Sequence, residues 1–260
     1  MTSAQRQWLP VPVFAAILIV WESGVRHSGQ LTLYPSPAGV AAAALRTLGD
    51  GSLLAATSGS LYRVLLGFVI GALLGIPLGL LMALWQPVNR AMSPIIDSLR
   101  SIAPIAWIPM ALLWLGIRGN AALFIVAYAA FFPFVLNTVE AVRQIDRKLI
   151  NAASALGAGR MLILRSVIMP GAFPIILTGA RISLAFAWGS IIAAELAMGI
   201  KVTAGGSAAV GLGQLMVSTL YIRRDVNGLV LYMIVIGLIS WLIDALMRRL
   251  QRTLTPWRQQ

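Results

Sequence analysis

Five charged residues interrupt long apolar stretches of this sequence and are the first candidates for chemistry. They are Asp97, Arg100, Arg181, Glu195 and Asp244. A charged side chain in the middle of a membrane span costs roughly 2.5–3.5 kcal/mol on insertion scales, so such residues are retained for pairing or for function. Groups of this kind could line a pathway for a charged solute or couple transport to a proton.

The spacing of these charges separates them into two sets. Asp97 and Arg100 are three residues apart and could pair on one face of a helix, and this pairing explains them as well as a transport role does. Asp244 precedes Arg248 by four residues, a spacing that favours a local pair. Arg181 and Glu195 have no partner at helical spacing, so a structural and a functional role stay equally open.

Other kinds of chemistry lack the residues that they need. No G-x-x-x-x-G-K-[ST] loop is present, and neither Lys148 nor Lys201, the only lysines, follows such a glycine run. His27 is the only histidine and is predicted in an external loop, so neither a histidine-based catalytic dyad nor a metal site is expected. We therefore predict a protein that is not an enzyme, holds no metal or cofactor and does not hydrolyse ATP unaided.

The composition predicts a membrane protein. The chain has 260 residues, of which 59% are apolar and only 11% charged, whereas soluble domains carry about 25% charged residues. Its formal net charge is +12, but no basic patch with interleaved aromatic residues accompanies that charge. Arg and Lys collected at cytoplasmic span ends explain the charge better than nucleic-acid binding does.

Six helical spans are predicted, because backbone groups in a bilayer must be satisfied within each segment. The first apolar stretch is followed by Glu22 and Ser23 rather than by a cleavage site, so it is expected to be a retained span and not a signal peptide. A cytoplasmic N-terminus places most Arg and Lys residues inside, which predicts both termini in the cytoplasm. The predicted spans lie near 8–25, 61–85, 93–116, 121–142, 171–199 and 226–247.

Three further patterns predict packing. Ser36 and Pro37 are typical of a helix start, and we expect an external helix there that ends at Gly49. A second external helix is expected over 211–222, on the membrane surface or against the spans. The second span carries a glycine every four residues, which favours close packing within the chain over a dimer interface. These glycines are Gly67, Gly71, Gly75 and Gly79.

The segment 143–170, between the fourth and fifth spans, is predicted to be a cytoplasmic loop of two short helices. Asn151 to Leu156 form the first, Gly157 interrupts it, and Arg160 begins the second, which Pro170 should end before the fifth span. Small residues and an exposed amphipathic face suit docking into a groove of another protein. A plain loop on lipid headgroups fits the residues equally well.

This segment resembles the cytoplasmic "EAA" loop of ABC-importer permease subunits. That pattern is E-A-A, three residues, Gly, nine residues and I-x-L-P, and Asn151 stands where Glu is usual. The other matching positions are held by Ala152, Ala153, Gly157, Val167, Met169 and Pro170. The stretches "GFVIGALLGIPLGLLMAL", "LRSIAPIAWIPMALLWLGI" and "ARISLAFAWGSIIAAEL" resemble the nitrate/sulfonate/taurine-type group of these permeases. An additional external stretch at 200–210 departs from that group and is expected to alter the outer gate or the seat of a binding protein.

The resemblance implies an all-α membrane protein with the type I ABC-importer permease fold, as a single domain over 1–260 in a bacterial inner membrane. Two copies, as a homodimer, would form the pathway for a small anionic solute brought by a periplasmic or lipid-anchored binding protein. Two separate ATPase subunits would bind ATP and Mg²⁺ and dock on Asn151, Ala152, Ala153, Gly157, Arg160 and Pro170. The pathway is expected at Arg100, Arg181, Trp188 and Glu195. The alternative is a gradient-driven secondary transporter, which should show inverted repeats.

Overall fold

The computed structural model describes residues 10–28, 33–116, 119–199 and 210–255, and these form ten helices and no strand. Three of the helices include a short turn of another type. Their bounds, in chain order, are α1 Pro10–Ser28, α2 Pro37–Gly49, α3 Ser52–Leu84, α4 Gln86–Arg100, α5 Ile108–Leu115 after a 3₁₀ turn Pro104–Trp107, α6 Asn120–Arg143, α7 Arg147–Ala155, α8 Arg160–Ala197 with a π turn Leu164–Ile168, α9 Leu212–Ser218 followed by a π turn Thr219–Arg223, and α10 Val226–Leu254. The predicted stretch 200–210 lies, except for Val210, outside the described residues.

Four helices in the described part of the chain are long and apolar enough to cross a membrane: α3, α6, α8 and α10. They contain the predicted spans 121–142 and 226–247, all but the last residue of 61–85 and most of 171–199, although α3 begins nine residues earlier than predicted. The first predicted span, 8–25, corresponds from residue 10 onward to α1, which is not among the helices that are long and apolar enough to cross a membrane. His27, predicted in a loop, lies in the last turn of α1.

The span predicted over 93–116 is not one continuous helix. The chain instead forms α4 and then α5 with its 3₁₀ turn, and the two parts meet at an angle of 83°. Pro104 has no amide donor and holds the preceding Ala103 in an extended conformation, which ends α4. If the bent pair counts as one broken span, the described residues hold five candidate spans.

The glycine stripe of α3 packs against α6, as the sequence predicts. A Cβ atom at Gly71 would lie 2.8 Å from the Ala130 side chain, and one at Gly79 would lie 2.7 Å from the Val135 carbonyl oxygen. Real Cβ atoms do not approach so closely, so only glycine allows the two backbones to pack at this distance. The stripe therefore serves packing within the chain.

The two helices predicted to be external pack on the spans. The Ser36 hydroxyl accepts a hydrogen bond from the Gly39 amide at 3.0 Å, which confirms Ser36 as the cap of α2. The first buried turn of α9 holds Leu212 and Gln214 against α3 and α8. Of the two placements expected for the 211–222 helix, on the membrane surface or against the spans, the structure shows the second.

Candidate functional site

The loop between α6 and α8 has the two-piece helical form that the sequence predicts. Asp146 caps α7 by accepting a hydrogen bond from the Lys148 amide at 2.8 Å. At the other end, Gly157 has φ +84°, and the amide of Ala158 donates to the Ala153 carbonyl oxygen at 3.0 Å. Glycine suits this left-handed position because it has no Cβ atom, and it closes the helix so that the chain can turn into α8.

Pro170 does not end the second helix, contrary to the prediction. α8 is continuous from Arg160 to Ala197, and Pro170 lies within it, directly after the π turn Leu164–Ile168. In the π turn, the Met169 amide bonds to the Leu164 carbonyl oxygen, five residues back. This change of register lets the helix continue past a residue that has no donor of its own.

The loop presents apolar side chains to the outside of the molecule. Leu156 is 89% exposed, and Leu149, Met161 and Leu162 are also more than half exposed. Ile163 and Ile168 are buried and anchor the first turns of α8. The predicted residues Asn151, Ala152, Ala153, Gly157 and Arg160 all belong to this segment, and Pro170 lies further along α8. An exposed apolar surface on a short helix is typical of a docking site.

Glu195 occupies a very different environment on the opposite side of the molecule. Its side chain is completely buried, and the Arg63 guanidinium donates to its Oε1 atom at 2.8 Å. The Ser60 hydroxyl lies 2.9 Å from both carboxylate oxygens. The Gly213 amide donates to Oε2 at 3.0 Å. The carboxylate thus has the ion pair and the hydrogen bonds that a buried charge requires.

The same cluster fixes α9 to the spans. Ser60 accepts a hydrogen bond from the Leu212 amide at 3.0 Å, so one side chain of α3 joins α8 and α9. A Cβ atom on Gly211 would collide with the Glu195 carboxylate, and one on Gly213 would lie 2.8 Å from Glu195 Cβ. We call Ser60, Arg63, Glu195, Gly211 and Gly213 the external cluster, because the predicted orientation of the spans places them at the external end.

The external cluster includes two residues that the sequence did not single out. Arg63 and Ser60 precede Glu195 by 132 and 135 positions, so no helical spacing relates them. One signal was available. Arg63 lies near the start of a long apolar helix, and a cation there needs a carboxylate partner.

The other predicted pathway residues do not converge with Glu195. Arg181 of α8 pairs with Asp244 of α10 at 2.5 Å, and Asp244 also pairs with Arg248, which confirms the predicted local pair. Trp188 is buried between the same helices, where its indole nitrogen donates to the Ile236 carbonyl oxygen at 3.3 Å. These residues lie between α8 and α10.

Arg100 lies elsewhere, at the end of α4. It pairs with Asp97 at 2.9 Å, as the three-residue spacing allows. The four predicted pathway residues therefore occupy three separate places. In the part of the chain that the structure describes, no group of three or more His, Asp or Glu side chains could hold a metal ion.

Comparison with known proteins shows the family to which this chain belongs. Residues 75–260 match the family model described as "Binding-protein-dependent transport system inner membrane component". The chain belongs to this family of ABC-transporter permeases and is a multi-pass membrane protein.

Two relatives carry names that state their substrates. The chain is 33% identical to the taurine transport system permease protein TauC of Escherichia coli, over 96% of this chain and 89% of that protein. It is 34% identical to the bicarbonate transport system permease protein CmpB of Synechococcus elongatus, over 78% of this chain and 70% of that protein. Both matches place the chain near the nitrate/sulfonate/taurine-type group that the sequence resembles.

The fold also matches solved transporters. The inward-facing MetNI methionine ABC transporter contains a chain that superposes with a TM-score of 0.66 at 23% identity, over 78% of this chain and 96% of that one. At this identity the match supports the fold alone.

Proposed function

We propose that this chain is the transmembrane subunit of an ATP-driven importer and that ATPase subunits dock on the loop 143–170. The observation that carries the proposal is the set of exposed apolar side chains on and beside α7, of which Leu156 is the most exposed. A permease of this family needs a surface on which another subunit can act, and α7 with Gly157 supplies a short rigid one. ATP and Mg²⁺ would be bound by that partner, and this chain would hold no cofactor.

The loop is joined to the pathway by a single helix. α8 starts at Arg160, separated from the end of α7 by the turn 156–159, and continues to Ala197, so a movement of α7 would pass through this turn into one continuous helix of the spans. ATP binding would draw two ATPase subunits together, shift α7 and open the pathway outward, and hydrolysis would reset it. This is alternating access driven from the cytoplasmic side.

The assembly and placement follow the family. Two copies would form a homodimer with six spans each, with α1 as the first and the bent α4–α5 pair as the third. Both termini would lie in the cytoplasm, and the whole chain would be one permease domain in the inner membrane. A periplasmic or lipid-anchored binding protein would deliver the solute.

The solute proposed is a small anion such as a sulfonate, taurine, nitrate or a similar compound. The support comes from the names of the relatives, because taurine and bicarbonate both carry an acidic group. Arg100, Arg181, Trp188 and Glu195 remain the proposed pathway residues. Of these, only Arg100 carries a charge that is about half exposed beside a polar cleft.

The test is a purification of the tagged chain from its native membrane in gentle detergent, with the partners identified by mass spectrometry. A stoichiometric ATPase is expected, and Gly157→Arg should abolish its recovery or uncouple ATP hydrolysis from uptake, because φ +84° is strained for arginine. Gly189→Ala, at a helical position with open space around it, is the matched control. Recovery of the chain alone, still active in gradient-driven uptake, would instead establish a secondary transporter.

A further inference from the structure

α4 carries a polar face that the proposed function leaves unexplained. Asn89, Ser93, Asp97 and Arg100 follow one another at intervals of four, four and three residues, which places them on one side of the helix. Asn89 and Ser93 are hydrogen-bonded at 3.2 Å, and Asp97 and Arg100 form an ion pair. Ile96 lies on this same side of α4, where it is buried and also lines the cleft.

This polar face lines a cleft against α6. The cleft has a volume of about 400 Å³, and Asn137 and Glu140 of α6 contribute further polar groups. A second cleft of about 310 Å³ adjoins it and shares Arg100 and Asn137. The second cleft is lined mainly by apolar and aromatic residues, among them Phe132. The polar cleft therefore ends, at Arg100, against a more apolar chamber.

The end of α4 lies near the middle of the membrane span. The Tyr128 hydroxyl of α6 donates to the Leu99 carbonyl oxygen at 2.5 Å. Tyr128 is about 12 Å from the start of α6 and about 22 Å from its end, at 1.5 Å per residue. The start of α4 and the end of α6 lie on the side of the loop 143–170, so the polar cleft runs from that side to mid-span.

The exposed charges on this face of α4 would be unfavourable in contact with lipid. The Arg100 and Asp97 side chains are 49% and 56% exposed although they lie at mid-span depth. The chain also leaves helical geometry between α4 and the turn Pro104–Trp107. Charged groups and irregular backbone at this depth are tolerated where protein buries them or where they line a water-filled cavity, and the Arg100 and Asp97 side chains are half exposed rather than buried.

We propose that the face shared by Asn89, Ser93, Asp97, Arg100, Asn137 and Glu140 is the cytoplasmic half of the solute pathway, filled with water in the conformation described. A small acidic solute leaving the apolar chamber would meet the Arg100 guanidinium first and then a passage in which the carboxylates of Asp97 and Glu140 are balanced by Arg100 and Arg143. This inference rests on the proposed function for its solute, but its water-filled cleft can be measured without transport.

The experiment uses a property of the sequence: the chain has no cysteine. Ser93→Cys and Asn137→Cys each introduce a single thiol into the polar cleft. Ile95→Cys is the matched control, because Ile95 is 50% exposed on the same helix at nearly the same depth but lies outside the cleft. Inside-out native membrane vesicles carrying the assembled transporter are treated with a membrane-impermeant sulfonatoethyl methanethiosulfonate probe.

The two cleft thiols are expected to react about tenfold faster than the control thiol of Ile95→Cys, or more, because the reactive thiolate forms only where water stabilises it and each unit of pKa is a factor of ten. Equal rates in all three variants would overturn the proposal, whether fast, which would put α4 on the membrane surface, or slow, which would leave the cleft dry. The ATPase purification is independent, so either proposal can fail while the other stands.

A second arm tests Arg100. In the Asn137→Cys background, Arg100→Gln should slow the anionic probe about threefold, the factor expected for one unit charge a few ångströms away in water. The same change should not slow a positively charged methanethiosulfonate probe that carries a trimethylammonium group. An equal effect on both probes would show that Arg100 acts on the shape of the cleft and not on the charge of what enters it.

Discussion

The external cluster and the loop 143–170 differ in almost every physical respect, although both lie at the ends of α8. Glu195 is fully buried, and its carboxylate has an ion pair and several hydrogen bonds. Leu156 is 89% exposed, and its neighbours in α7 are mostly exposed too. The first region is satisfied within the chain, whereas the second presents apolar surface that a partner could cover.

This difference suggests that the external cluster stabilises the fold and that the loop 143–170 serves the binding of a partner. A region whose polar groups are all paired within one chain fixes the fold of that chain, and changing it should unfold the protein. A region whose side chains point outward adds little to the fold, and changing it should affect only binding. The predictions below follow from this difference, ordered by their expected effect on the free energy of unfolding.

The largest loss is expected from Arg63→Leu. It would leave the Glu195 carboxylate buried without its cation, and breaking a buried pair in this way costs roughly 3–5 kcal/mol. The thermal midpoint of the detergent-solubilised chain is the measurement. The double variant Arg63→Leu with Glu195→Leu should recover part of the loss, because no charge is then buried. A single variant as stable as the parent would show that the cluster does not support the fold.

Glycine substitutions compare the two regions directly. Gly213→Ala should cost about 1–3 kcal/mol by overpacking, because its Cβ atom would lie 2.8 Å from Glu195 Cβ and from the Ile192 carbonyl oxygen. Gly159→Ala is the matched change in the loop, where nothing lies within 4 Å, and it should leave stability unchanged. Chemical denaturation measures the free energy of unfolding of both variants. Equal decreases would show that the external cluster is no more important for stability than the loop.

An exposed ion pair between α2 and the residue before α10 tests whether burial is what makes an ion pair important for stability. Arg46 and Asp225 approach to 3.3 Å, but the Arg46 side chain is 68% exposed. Arg46→Gln should therefore cost about 0–1 kcal/mol, far less than Arg63→Leu. The two variants are compared in one unfolding assay. A loss at Arg46 as large as that at Arg63 would mean that burial is not what makes the external cluster important.

The smallest effect on stability is expected at Leu156. Leu156→Ser removes an apolar group that touches little, so the unfolding midpoint of the isolated chain should not change. Under the proposed function the ATPase should bind about tenfold more weakly, as expected for the loss of one apolar contact worth about 1.4 kcal/mol. Leu45→Ser, at a position 75% exposed on α2, is the control and should leave ATPase binding intact. Unchanged ATPase binding in Leu156→Ser would contradict the docking surface.

Local patterns in the sequence predicted local structure well. The cap at Ser36, the turn at Gly157 and the glycine stripe of α3 each depend on residues within a few helical turns, and the structure has all three. The stripe even identified a packing face, because a glycine at every fourth position removes the side chains from one side of the helix. The Asp244–Arg248 pair is local in the same sense.

Contacts between distant segments could not be predicted. The pairing of Glu195 with Arg63 and of Arg181 with Asp244 depends on how α3, α8 and α10 assemble, and no spacing in one sequence encodes it. Two prolines were also misjudged. Pro104 ends α4 where a continuous span was predicted, whereas Pro170 is accommodated by a π turn within α8. Whether a proline breaks a helix depends on the hydrogen-bond register around it, which tertiary packing sets.

The unbroken course of α8 determines how a force on the loop 143–170 can reach the other end of the molecule. Its 38 residues form one helix about 57 Å long. Glu195 holds the C-terminal end of α8 in the external cluster, and the buried Ile163 and Ile168 hold its first turns. Between these ends α8 packs along α6, and its hydrogen-bond register changes at the π turn Leu164–Ile168, about 6 Å from Arg160. Because the helix is held at both ends and along one side, a force on the loop is expected to be transmitted along the helix axis rather than absorbed by bending.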